Sequence, residues 1–127
     1  MSEVRGRALV LDEPLSLWGG MDPATGEVID VHHPQRGASL AGRVVVMRSG
    51  RGSSSSASVL AEAVRAGTAP VAIVLAEPDL ILAIGATVAE ELYGRAVPVL
   101  ILPPADISAI ADGAEIRIGP DGVVRTA

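Results

Sequence analysis

Three short aliphatic runs, residues 43–48 (RVVVMR), 71–76 (VAIVLA) and 97–102 (VPVLIL), are separated by two segments of helical character. That alternation constrains the fold more than any other feature. Strands joined by helical crossovers lie parallel in one sheet, with the helices packed on its face. β-branched runs this short fit central strands better than helices. In the first helical segment, 56–66, Val59, Leu60, Ala63 and Val64 share one face and Gly67 supplies the stop. The second, 79–92, starts after Pro78 and ends at Gly94, with Leu80, Ile81, Leu82, Ile84 and Val88 assigned to the core.

The flanking regions read as β structure. Residues 5–11 and 14–18 are expected to be short strands, 21–26 (MDPATG) a turn, and 27–31 a weakly alternating pairing segment that 32–37 breaks. After Pro103-Pro104 a short turn or helix covers 105–111. Residues 114–118 and 123–126 then flank Gly119-Pro120-Asp121-Gly122 as a closing hairpin. With no internal repeat or long linker, residues 1–127 are expected to form one domain of α/β class. The expected architecture is a three-layer β/β/α arrangement whose second β layer comes from the N-terminal strands.

Composition narrows the chemistry. The chain lacks Phe and has one Trp (Trp18) and one Tyr (Tyr93), so the core must be built from Ala, Val, Leu and Ile. Without cysteine there is no disulfide, no thiolate nucleophile and no cysteine-held zinc or iron–sulfur cluster on this chain alone. The net charge of −5, with Arg as the sole basic residue besides two His, provides neither the cationic patch nor the stacking platform of a nucleic-acid binder. The charged N-terminal stretch has no long apolar run, so neither a signal peptide nor a spanning helix is expected and the location is expected to be cytoplasmic.

The candidate site is the segment Ser49-Gly50-Arg51-Gly52-Ser53-Ser54-Ser55-Ser56, between a buried strand and an amphipathic helix. Open α/β sheets place ligands at that position. A helix N-terminus presents free N–H groups to an anion, Gly50 and Gly52 permit close backbone approach, and Arg51 can hold a carboxylate or phosphate through two bonds. The competing reading is a flexible Ser/Gly loop whose last serine caps the helix. Nucleotide loops fit poorly, since the third glycine of a dinucleotide fingerprint is missing and there is no Lys for a phosphate loop. His32 and His33 are adjacent and would point to opposite faces of a strand, a poor metal pair, so a surface loop is expected there. Trp18 closes an apolar run and is compatible with the core, and Glu90-Glu91 is expected to be solvated. No GxSxG elbow is present.

Three segments, 18–34 (WGGMDPATGEVIDVHHP), 47–70 (MRSGRGSSSSASVLAEAVRAGTAP) and 72–94 (AIVLAEPDLILAIGATVAEELYG), together resemble the small, swivel-domain subunit of aconitase X over nearly the whole chain. The β/β/α order is also similar to the mobile fourth domain of aconitases. The resemblance implies a two-chain hydro-lyase. The large subunit would carry the iron–sulfur cluster or other metal and most of the substrate pocket, with no cofactor on this chain. In the aconitase pattern the first Ser of a Gly-Ser-Ser motif is the base that moves the carbon-bound proton. The motif falls here on Gly52-Ser53-Ser54, which makes Ser53 the implied catalytic residue and Arg51, Gly52, Ser54 and Ser55 the implied substrate-binding residues. Ser55 stands where that family has Arg, a departure that leaves carboxylate recognition open, with Arg51 one candidate substitute.

Two substrates are implied by the family, cis-3-hydroxy-L-proline and mevalonate 5-phosphate, and the Gly-Arg-Gly-Ser-Ser-Ser-Ser form favours the first. Outside the class stand a non-catalytic swivelling phosphoryl carrier using His32 or His33, and a standalone anion-binding regulator.

Overall fold

The computed structural model describes residues 2–126. Six strands form one sheet in the order β4-β3-β2-β1-β5-β6. They are β1 (Val4–Val10), β2 (Val44–Met47), β3 (Ala72–Leu75), β4 (Val99–Ile101), β5 (Glu115–Ile118) and β6 (Val124–Thr126). The helices are a kinked turn α1 (Leu17–Gly20), α2 (Ser56–Ala66), α3 (Leu80–Tyr93) and the short α4 (Pro104–Ser108). The three aliphatic runs become β2, β3 and β4, paired in parallel, and the two amphipathic segments become the crossovers α2 and α3. The α/β class and the closing hairpin read from the sequence are therefore present. Among the described residues no helix is long and apolar enough to cross a membrane.

β1 belongs to both halves of the sheet. Its C-terminal residues Ala8–Val10 run parallel to β2, while Val4–Arg7 pair antiparallel with β5. The sheet curls at this strand, and Gly6 is where the halves crowd: a Cβ there would sit 2.9 Å from Val71 Cγ2 and 3.0 Å from the Gly42 carbonyl. Side chains alternate strictly across the central strands. Val45, Met47, Ile73 and Leu75 join Leu60, Ala63, Val64, Leu82 and Ala89 under the helices. Val44, Val46, Ala72 and Val74 join Ala8, Ile116 and Ile118 on the other face. The second β layer thus comes from the start of β1 with the C-terminal hairpin, and not from residues 14–31.

Those residues differ from the sequence expectation for a local reason. Pro14 has no N–H for a ladder, and Gly19 adopts φ 80°. Asp22 accepts from Ala24 N through its side chain and from Gly26 N through its carbonyl, which closes the turn on itself. Only isolated bridges remain, Leu15 to Gly50, Met21 to Val28 and Glu27 to Ser39. Trp18 sits at the kink of α1 with φ −71° and ψ 115° and is 58% exposed, so it is not core.

α2 and α3 end at Gly67 and Gly94, both left-handed. They cross closely because Gly85 has no side chain, and a Cβ there would lie 2.9 Å from the Ala57 backbone. This crossing decides which face of α3 is buried: Leu82, Gly85, Ala86 and Ala89 turn inward. Leu80, Ile84 and Val88, assigned to the core from sequence, are 74%, 48% and 41% exposed and continue into Leu92 as an outward stripe. Glu90 and Glu91 are exposed, as expected.

The two faces of α3 should separate in stability. Leu82→Ala removes a buried side chain and should cost roughly 2–5 kcal/mol, whereas Leu80→Ala should stay within about 0.5 kcal/mol of the parent. Urea unfolding of both variants checks this, and equal losses would contradict the burial assignment.

Candidate functional site

The parallel pairing of β2 and β3 places the C-terminal ends of both strands together, and the serine-rich loop leaves from the first of them. A cleft of about 140 Å³ opens there, lined by Leu15, Leu17, Gly50, Arg51, Gly52, Ser53, Ser56, Asp79, Ile81 and Leu82. A larger groove of about 410 Å³ lies at the opposite, N-terminal end of the strands, around Pro70, Val71, Ala96 and Val97. In a parallel sheet the carboxyl ends carry the chemistry, because helix N-termini converge there.

Both walls of the cleft approach closely. Leu15 forms a parallel bridge with Gly50, so the segment after Pro14 lies alongside the loop like a one-residue strand. Gly50 packs directly on the Asp79 carboxylate, leaving no room for a side chain. Gly52 adopts φ 96°, and a Cβ there would meet Ser16 Oγ at 2.5 Å, so both conformation and space require glycine. Asp79 is fixed as the N-cap of α3, its Oδ1 accepting from Leu82 N at 2.9 Å.

The serines divide into distinct roles. Ser53 is half-buried and lines the cleft, and its Oγ accepts a hydrogen bond of 3.0 Å from Ser55 N at the start of α2. Ser56 is only 3% exposed, and its Oγ accepts from Trp18 N at 3.2 Å, tying α1 to the helix. Ser54 is exposed and Ser55 is half-buried at the N-cap position without a side-chain cap. Neither lines the cleft. The N–H groups of Gly52, Ser53 and Ser54 donate to no backbone oxygen among the described residues. Together with the α2 dipole they give the loop a positive character that suits an anion. Arg51 is exposed at the cleft, with no ion pair among the described residues.

Sequence reasoning placed Arg51, Gly52 and Ser53 together, and the structure lines one cleft with all three. Ser56 belonged to the expected segment without a role of its own, whereas Leu15, Ser16 and Asp79 were missed. Only Asp79 left a local signal, as an Asp three residues before Leu82 at a helix start. The histidines stand elsewhere. His32 is exposed, whereas His33 is 6% exposed and not a surface residue; its Nε2 lies 2.9 Å from the Glu13 carbonyl oxygen, and its Nδ1 accepts from Gln35 N at 3.0 Å. Among the described residues no three His, Asp or Glu side chains gather to hold a metal. With no cysteine, the donor set of this chain does not fit an iron–sulfur cluster.

Comparison with known proteins shows the family of the chain. The family model described as the aconitase X swivel domain matches residues 1–126. The cis-3-hydroxy-L-proline dehydratase of Pseudomonas aeruginosa is 53% identical over 97 residues, which cover 76% of this chain but 17% of that protein. This chain therefore spans about a sixth of the length of that relative. The phosphomevalonate dehydratase small subunit of Methanothermobacter thermautotrophicus is 36% identical over 118 residues, 92% of this chain and 86% of that one. The crystal structure of Thermococcus kodakaraensis aconitase X in its holo-form superposes with a TM-score of 0.86 at 31% identity, over 99% of this chain and 91% of that chain. Matched over nearly its whole length in sequence and in fold, this chain belongs to the aconitase X swivel-domain family.

Proposed function

We propose that this chain is the small subunit of a two-chain aconitase X-type hydro-lyase that dehydrates a small hydroxy acid in the cytoplasm, with Ser53 as the proton-transferring base. The observation that carries the reading is the placement of Ser53. Its hydroxyl lines the cleft at the end of β2 and already accepts an N–H bond at a helix N-terminus. A neutral serine is a weak base, and donors aimed at its oxygen stabilise the alkoxide form that takes a proton. In the proposed reaction a substrate C–H bond breaks and its proton passes to Ser53 Oγ. The electron pair left on carbon forms the double bond, and the neighbouring hydroxyl departs as hydroxide that takes a proton from solvent to become water, while Ser53 returns its own proton to solvent before the next turnover. Arg51 and the Gly52 N–H would hold the substrate carboxylate, with the Ser54 and Ser55 hydroxyls at the outer rim. A metal centre on the large subunit would supply Lewis acidity toward the departing hydroxyl.

The preferred substrate is cis-3-hydroxy-L-proline, supported by the 53% identity to the Pseudomonas aeruginosa protein. Mevalonate 5-phosphate is the second reading, favoured by the small-subunit relative of similar length. The exposed stripe of Leu80, Ile84, Val88 and Leu92, with Trp18, supports a chain that works against another protein surface.

The test is turnover by this chain co-expressed anaerobically with its large subunit, offered each substrate in parallel, with each chain alone as control. Activity is expected only with both chains, on the hydroxyproline. A stable complex inactive on both substrates would discard both. Within the active complex, Ser53→Ala should lower kcat by about 100-fold or more while the subunits still co-elute. Retained turnover would move the base elsewhere. Gly52→Ala should displace the loop from Ser16 and lower kcat at least about tenfold, since misplacement of a reacting group by about 1 Å is enough for such a loss. An unchanged kcat would mean that the close approach of Gly52 to Ser16 is not needed.

A further inference from the structure

We propose that His33, as a neutral Nε2–H imidazole, is the positioning residue for the outer wall of the serine cleft, and that its protonation releases this wall. The link to turnover rests on the hydro-lyase reading above, whereas the link to loop position does not.

The tautomer follows from the partners. The Glu13 carbonyl oxygen, 2.9 Å from Nε2, can only accept, so Nε2 carries the hydrogen. Gln35 N–H can only donate, so Nδ1 presents its lone pair. Both ring nitrogens of a buried histidine are thus committed to backbone groups on two separate segments. Gln35 closes the ring of contacts: its Oε1 accepts from Asp12 N at 3.1 Å, and its Nε2 donates to Asp12 Oδ2 at 2.8 Å. Four hydrogen bonds therefore clamp residues 33–35 and hold 12–13 against them.

The clamped segment is the start of the cleft wall. Two residues beyond Glu13, Leu15 bridges Gly50. Ser16 follows, its Oγ donating to the Trp18 carbonyl at 3.0 Å and its side chain filling the space over Gly52. Leu17 lines the cleft, and Trp18 N donates to Ser56 Oγ. Moving Glu13 thus moves the groups that define the position of Gly52 and, one residue on, Ser53.

A proton added at Nδ1 would face the Gln35 N–H and break that bond; Nε2–H still donates to Glu13, so the release runs through Gln35, whose side chain holds Asp12. The charged groups around the ring do not take its place. Asp12 is engaged by Gln35 Nε2, and the Asp30 carboxylate accepts from His32 N while its carbonyl accepts from His33 N. Arg36 meets His33 through its backbone N–H, and Glu13 through its carbonyl. No carboxylate hydrogen-bonds the imidazole among the described residues. His32, one position earlier and exposed, is the internal control.

The experiment is an NMR pH titration of the full chain, following the imidazole nitrogens of His32 and His33 with the amides of Gly50, Gly52 and Ser53. At neutral pH His33 should give the Nε2–H pattern. On acidification the three loop amides should shift together with the His33 ring nitrogens and independently of those of His32. A different tautomer, or loop amides that do not follow His33, would overturn the proposal. In the assembled enzyme, kcat should fall about tenfold across the His33 titration. His33→Asn, which keeps an acceptor near Nδ1 but does not titrate, should remove that acid limb, whereas His32→Gln should retain it. An acid limb that survives in His33→Asn would also overturn the proposal. If that variant fails to fold, the wild-type titration decides the question. A complex with no turnover at any pH would sink the enzyme reading and leave the loop coupling to be decided by NMR.

Discussion

The site depends on the burial of β2 on both faces. All four residues of Val44–Met47 are inaccessible, Val44 and Val46 in one core and Val45 and Met47 in the other. A slip of one residue would exchange the two sets and misplace every side chain, so the register of this strand is firmly held. The loop that leaves it therefore starts from a fixed point. Gly50 meets Asp79, Gly52 meets Ser16, and Ser53 follows with no slack in between. Asp79 is itself held as the cap of α3, and α3 is held by the contact of Gly85 with Ala57. A hydroxyl at the sheet edge is thus located by aliphatic packing some residues away, as sites built on rigid elements require.

How much of this was legible varies along the chain. Helix α2 spans the residues that its periodicity and Gly67 marked, and the Gly-Pro-Asp-Gly hairpin formed where turn chemistry put it. The parallel strands were readable because short β-branched runs between helices have few other solutions. Residues 14–31 were not, because Pro14, Gly19 and Asp22 satisfy or remove the very backbone groups that a ladder needs. The face of α3 was also hidden. Its opening LILAI is apolar all round, and a periodic reading cannot choose a side when every side is apolar. The choice was made by Gly85, which matters only once α2 lies across it.

The site was legible as a segment but not as a surface. Strand, glycines, serines and helix announced a ligand-facing loop, yet four consecutive hydroxyls look identical in sequence. Folding separates them. Ser53 and Ser56 face the cleft, while Ser54 and Ser55 do not. The opposing wall arrives from Leu15 and Ser16, distant in sequence, and their pairing with the loop depends on backbone approach, which carries no residue-type signal. His33 was hidden in the same way: its role comes from two backbone partners, one of them far along the chain.

Under the hydro-lyase reading, the electrostatics would give such a loop a reason to work with a second surface. Ser53 Oγ has one protein donor, Ser55 N–H, and the cleft around it is small and open to water. A single donor and a helix dipole in contact with solvent stabilise an alkoxide weakly, because water screens both. The same two terms become strong once water is excluded. Ile81 lines the cleft, and Leu80 begins an outward apolar stripe that runs the length of α3. Under the hydro-lyase reading, covering that stripe would dry the cleft, strengthen the field at Ser53 and bring the substrate to Arg51 in one event. Binding to the partner and activation of the base would then share one physical cause.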